Sequence, residues 1–304
     1  MKSAMKILAA GALLIMMGAA AASAQGAGAR SMTPAIMVKK DIPYVLGGTP
    51  LQTGDLFAPR TSTLHAAILL IHGGAWKWGT RNDPGVTYMA PRLAAAGFTV
   101  FNISYRLVEQ GGRFPDDLED CKTALAWMVI HAKKLRINPK DIFIVGTSAG
   151  AHLALMAAYT ARTHLFPATD FPHVALNVKA VVGFYTPTNL MLVNGVPHNS
   201  WAYKVVINYL KAWLVKHPKN GLLSASPIAY IKTAVPTLLL QGTQDKLVPP
   251  VLAETMKNVL LAAHQPVKLI MVHGVGHAFM NFPGRVRKIA LRETIQYLRL
   301  QLQK

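Results

Sequence analysis

The chain has 304 residues, 52% of them hydrophobic, with 32 Lys and Arg against 13 Asp and Glu and a formal net charge of +19. Such length and apolar content suit one α/β domain with a sizeable core. A single cysteine, Cys121, excludes an intrachain disulfide, a thiolate zinc cluster and a CxxC redox pair, and its place in a helical stretch points to packing.

At the start, Lys2 and Lys6 precede an apolar run over 7–22, and Ala22-Ser23-Ala24 has the small-residue pattern of a cleavage site. Residues 1–24 are therefore expected to be a signal peptide, with the mature chain beginning near Gln25 and exported to the periplasm or beyond. Its removal takes two lysines and leaves about +17. Residues 26–34 follow as a loose tether, and 44–46 and 51–57 as short lead-in strands broken by Gly47, Gly48 and Gly54.

Apolar runs of four to eight residues then alternate with longer helical patterns, as in a parallel sheet. The strands are expected over 66–71, 98–103, 141–145, 179–184, 237–240 and 267–272, without polar alternation because both faces are covered. Helical spacing occupies 91–96, 116–135, 149–160, 251–263 and 286–300. The segment 161–226 fits the alternation least, and apart from its one strand it is expected to form a cap-like insertion carrying an apolar helix over 201–215. Near the C-terminus, Arg285, Arg287, Lys288, Arg292 and Arg299 read as a solvated helix face that adds weak attraction to anionic surfaces. No nucleic-acid-binding motif accompanies them.

The strand ending at Val145 runs into Gly146-Thr147-Ser148-Ala149-Gly150, and a helix follows. A sharp strand-to-helix turn holds the central serine at a helix N-terminus, and side chains two positions to either side would collide with backbone. Upstream, a strand delivers His72-Gly73-Gly74-Ala75-Trp76, where Gly73 and Gly74 with Ala149 would supply N–H donors to an oxyanion. Ser148 then needs a base and an orienting carboxylate. The loop after 237–240 presents Asp245, and the loop after 267–272 presents His273 and His277. His277 is preferred, since two glycines let its loop swing back toward Ser148; Asp245 is preferred to Glu254. His152, one turn beyond Ser148, is expected to be packed and hydrogen-bonded. The other histidines lack ligand spacing, and neither G-x-G-x-x-G nor G-x-x-x-x-G-K-[ST] occurs, so neither a metal nor a cofactor is expected.

These motifs, together with Ser104-Tyr105-Arg106-Leu107 and the segment from Phe114 to Asp120, resemble the feruloyl-esterase-like and hormone-sensitive-lipase-like carboxylesterases of the α/β-hydrolase superfamily. The resemblance implies the α/β-hydrolase fold, with a mostly parallel central sheet and helices on both faces, a small-molecule ester substrate and structural work for Arg106 and Asp120. Phe57 departs from the family's usual DLYxP segment and Ala75 from the third glycine of lipase-like members, which favours the feruloyl-esterase-like or small-carboxylesterase side. An amidase or formamidase with the same triad, and a non-catalytic basic binding protein on the same scaffold, are the alternative readings.

Overall fold

The computed structural model describes residues 35–61 and 64–304, so the expected signal peptide and tether lie outside the described residues. The chain divides into units Met1–Met32 and Thr33–Lys304, and only the second is described. Its strands are β1 (Ile36–Pro43), β2 (Thr53–Pro59), β3 (Ala67–Ile71), β4 (Thr99–Ile103), β5 (Ile142–Thr147), β6 (Ala180–Phe184), β7 (Thr237–Gly242) and β8 (Val267–Val272). Its helices are α1 (Pro84–Ala95), α2 (Asp116–Ile130), α3 (Ala132–Leu135), α4 (Ala149–Tyr159), α5 (Trp201–Tyr209), α6 (Lys211–Lys216), α7 (Gly221–Ser224), α8 (Pro250–Ala262) and α9 (Arg285–Leu302).

The strands form one sheet in the order β1-β2-β4-β3-β5-β6-β7-β8. From β4 to β8 all neighbours are parallel, whereas β2 runs against both β1 and β4. The chain leaves β3 for β4 on one side and returns past it to β5 on the other. That reversal opens a crevice at the carboxyl ends of β3 and β5, where open α/β sheets bind ligands.

Period-two geometry divides the core between the two faces. Leu69 and Ile71 of β3 pack in a cluster with Leu118, Leu125, Leu153, Met156, Met256 and Leu260 from α2, α4 and α8. Ile68 and Leu70 pack in another with Met89, Leu93, Leu291 and Leu298 from α1 and α9. Every residue of β3, β4, β5 and β6 is buried, which is why these strands read as unbroken apolar runs.

Where the architecture differs from the expected elements, the causes are local. The first strand is 36–43, not 44–46, because β1 is an edge strand exposed throughout 37–41, so its apolar residues follow no buried pattern. Tyr44 follows it as a buried residue, donating its hydroxyl to the Ser104 carbonyl at 2.6 Å. α1 starts at Pro84, which supplies the first-turn proline, and Pro91 sits inside the helix instead of opening it. The helix expected over 201–215 breaks at Leu210 into α5 and α6, and that expected over 116–135 breaks at His131. β6 is central, paired with β5 and β7, and cuts the 161–226 segment in two.

Arg106 and Asp120 meet on this frame. The guanidinium donates from Nε and Nη2 to the carboxylate at 2.9 to 3.1 Å, the Arg106 backbone N–H reaches it at 2.9 Å, and Gln52 adds a fourth donor group at 2.8 Å. Asp120 is fully buried, so removing Arg106 would leave its charge short of donors.

Candidate active site

Ser148 lies between β5 and α4 with φ +52° and ψ −119°, a region that L-residues rarely enter. The flanking glycines make this possible. A Cβ on Gly146 would strike the Gly150 carbonyl, and one on Gly150 would strike the His72 carbonyl and stand 2.5 Å from that of Ile71. Gly150 thus lets α4 lie against the end of β3. Gly150→Ala is expected to lower the thermal midpoint by several degrees or prevent soluble expression, since backbone on both sides would have to move. A calorimetric scan showing an unchanged midpoint would contradict this packing.

His277 reaches Ser148 from the loop after β8, its Nε2 standing 2.9 Å from the serine Oγ and its Nδ1 2.8 Å from Asp245 Oδ2. Gly242 permits the approach, because a Cβ there would come within 2.5 Å of the Val275 carbonyl. The Tyr185 ring supports the imidazole edge-on with centroids 4.8 Å apart. A carboxylate can only accept, so Asp245 takes the Nδ1–H and leaves the Nε2 lone pair facing the serine hydroxyl.

Asp245 is buried at the end of β7. Its Oδ1 accepts from the Leu247 and Val248 N–H groups at 2.9 and 2.8 Å, and Gln241 donates to Oδ2 at 3.1 Å. Burial alone would push the carboxyl up, but the bonds from His277, Val248 and Leu247 outweigh it and hold the group below the usual carboxylate value. His273 and Glu254, the alternatives, are exposed, and Glu254 lies on α8 away from this chain of bonds.

On the other side of Ser148, the loop after β3 passes close enough that a Cβ on Gly73 would be 3.2 Å from the serine Cβ. His72 is buried beneath it, pushed down to about 4 by burial, and its Nδ1 lies 2.6 Å from the Gly73 carbonyl. That bond orients the 73–74 peptide, and in a trans peptide the Gly74 N–H points opposite to the held carbonyl. Gly74, Ala75 and Trp76 then all have positive φ, at +114°, +54° and +57°. The N–H groups of Gly73, Gly74 and Ala149 donate to no backbone carbonyl in the turns and loops of the described residues.

Two clefts meet at Ser148. The first, of about 170 Å³, is lined mostly by apolar side chains including Leu190, Val193, Val206 and Leu252. The second, of about 210 Å³, carries Asp83, Thr147, Asn281 and His277. Ala75, Trp201 and Leu247 border both, and none of the three was marked as a site residue by sequence reasoning. Ala75 had a signal in its place directly after the glycine pair. Trp201 was signalled only as the start of the expected cap helix over 201–215, and Leu247 had no signal, since their positions depend on how α5 and the loop after β7 pack. His152 is buried on α4, held by Trp76 and the Ala225 carbonyl and not turned to the serine hydroxyl. Among the described residues no group of three or more His, Cys, Asp or Glu is placed to hold a metal ion.

A family model, BD-FAE, matches residues 55–260, a span that contains the Gly146–Gly150 turn, the loop after β3 and Asp245. The chain belongs to the BD-FAE family. It is 30% identical over 251 residues to Esterase LipC of Mycobacterium tuberculosis, covering 78% of this chain and 59% of LipC. To the probable carboxylic ester hydrolase LipM of the same organism it is 31% identical over 218 residues, covering 70% of this chain and 49% of LipM. The BD-FAE chain thus spans about half to three-fifths of the length of these relatives. Among solved structures, a truncated carbohydrate esterase from gut microbiota superposes with a TM-score of 0.74 at 22% identity, covering 90% of this chain and 98% of the other. Esterase B from Lactobacillus rhamnosis gives 0.73 at 18% identity, covering 88% and 86%. These likenesses establish the α/β-hydrolase fold for this BD-FAE member.

Proposed function

We propose that this BD-FAE chain hydrolyses carboxylic esters through an acyl-enzyme on Ser148. The observation that carries the reading is the unbroken hydrogen-bonded chain Ser148–His277–Asp245 at the meeting of two clefts. An ester carbonyl seated at Ser148 would direct its oxygen at the Gly73, Gly74 and Ala149 N–H groups. The serine attacks as His277 Nε2 takes its proton, Asp245 stabilises the imidazolium, and the alcohol departs with that proton. Water activated by the freed imidazole then releases the acid. The names of LipC and LipM support this chemistry.

The first cleft suits the acyl group and the second the alcohol. At about 170 Å³ the first cleft is small beside ordinary ligand pockets of about 300–1,000 Å³, which favours short acyl chains and single aryl rings. Export by residues 1–24 and weak attraction to anionic surfaces belong to the same proposal, supported by the leader pattern and by the surplus of cationic residues.

A fluorophosphonate probe is expected to add to Ser148, mapped by mass spectrometry of the tryptic peptide. p-Nitrophenyl acetate to hexanoate should turn over faster than decanoate and faster than the matching anilides and formamides. Absence of labelling on folded protein would reject the reading, and faster amide than ester cleavage would replace it with an amidase.

A further inference from the structure

The three successive positive φ angles at Gly74, Ala75 and Trp76 need something to hold them, since alanine and tryptophan both resist that conformation. Trp76 is buried at 4% exposure, and its ring stacks on Tyr209 with centroids 4.5 Å apart and planes 8° from parallel. Stacking alone leaves the ring free to slide. The backbone is held by the Lys77 and Trp78 N–H groups on the Gly74 carbonyl at 3.0 Å and by the Val108 N–H on the Trp76 carbonyl at 2.9 Å, and the ring is held by a hydrogen bond of its own, in which the indole Nε1–H donates to His152 Nδ1 at 3.2 Å.

His152 has no latitude in that contact. An indole N–H can only donate, so Nδ1 must carry its lone pair; the Ala225 carbonyl, 2.7 Å from Nε2, can only accept, so Nε2 must carry the proton. The ring is therefore the neutral Nε2–H tautomer. Protonating Nδ1 would aim one N–H at another, and burial, which pushes the imidazole down to about 4, keeps it neutral over the working range. His152 sits one turn along α4 from Ser148, its backbone N–H bonded to the Ser148 carbonyl at 3.0 Å. A rigid path thus runs from the nucleophile through one turn of helix and one side chain to the loop that carries Gly73 and Gly74.

We infer that His152 is a positioning residue: by accepting the Trp76 indole N–H it fixes the loop over Gly73–Trp76, and with it the oxyanion donors, at a set distance from Ser148. The inference rests on the acyl-enzyme reading given above. It predicts that the Nδ1 contact governs the chemical step, whereas the Nε2 contact to Ala225 only steadies the fold.

Two amides separate these contacts. In His152→Asn, Oδ1 replaces Nδ1 as acceptor and nothing reaches Ala225. In His152→Gln, the amide nitrogen replaces Nε2 and Trp76 loses its acceptor. With p-nitrophenyl butyrate, kcat is expected to fall at least tenfold in His152→Gln with KM within about twofold, and to stay within about threefold of the parent in His152→Asn. Trp76→Phe, which keeps the stack and deletes the donor, should match His152→Gln, and the double variant Trp76→Phe/His152→Gln should be no worse than either single. Equal kcat losses in Asn and Gln, or additive losses in the double variant, would overturn the inference. Should the His152 variants fail to fold, Trp76→Phe alone decides: an unchanged kcat rejects it and a tenfold fall with KM retained supports it. Fluorophosphonate labelling of Ser148 in the parent keeps the underlying reading separate, because that reading fails only if the parent is not labelled.

Discussion

Ser148→Ala is expected to lower kcat for p-nitrophenyl butyrate by about ten-thousand- to a million-fold, with KM within a few-fold. The Oγ is the atom in hydrogen-bond reach of His277 Nε2, at 2.9 Å, and its removal leaves the imidazole without a nucleophile to activate. The residue keeps its Cβ, and the backbone at φ +52° is held by Gly146 and Gly150, so the variant should fold like the parent. Residual turnover would come from the N–H donors acting on attack by water. Retention of more than a tenth of the activity in a purified, folded variant would remove Ser148 from the mechanism.

Asp245→Asn is expected to cost about a thousand- to ten-thousand-fold in kcat. The carboxylate accepts from His277, Gln241, Leu247 and Val248, four donors to two oxygens. The two backbone N–H groups hold the amide oxygen at the Oδ1 position, which forces the amide nitrogen toward His277 and Gln241. Nδ1 must then accept, the proton moves to Nε2, and that nitrogen can no longer take the serine proton. The carboxyl is held below its usual value in the fold, so its contribution to stability is present above the ordinary carboxylate range. It is lost as the pH falls through the depressed value. The substitution should therefore also flatten the acid limb of a thermal-midpoint against pH curve. Asn activity within tenfold of the parent would assign the orienting task to another group.

The Gly146–Gly150 turn was legible because its requirements are written in residue types: only glycine fits at 146 and 150, and both backbone contacts that forbid a side chain there are present. Asp245 and His277 were legible from order and strand ends, since polar loops at the carboxyl edge of a parallel sheet converge on one crevice. The positive φ of Ala75 and Trp76 was not, because neither residue advertises it and the supports, Tyr209 and His152, are more than seventy positions away. β1 escaped because an exposed edge strand is held by ladder bonds and not by apolar burial. Pro91 misplaced the start of α1, as proline at a first turn and proline within a helix look alike in sequence.

β6 divides the region that builds the rim of the site. Ser148, Asp245 and His277 follow the ends of β5, β7 and β8, whereas Trp201, Val205 and Leu190 come from the excursion between β6 and β7, outside the sheet. Part of the cleft wall is thus encoded apart from the Ser148–His277–Asp245 constellation, while Ala75, Leu247 and Leu252 are encoded beside it. Exchanging the excursion over 185–236 for another would leave Ser148, His277 and Asp245 in place and rebuild only the part of the wall that Leu190, Trp201 and Val205 supply.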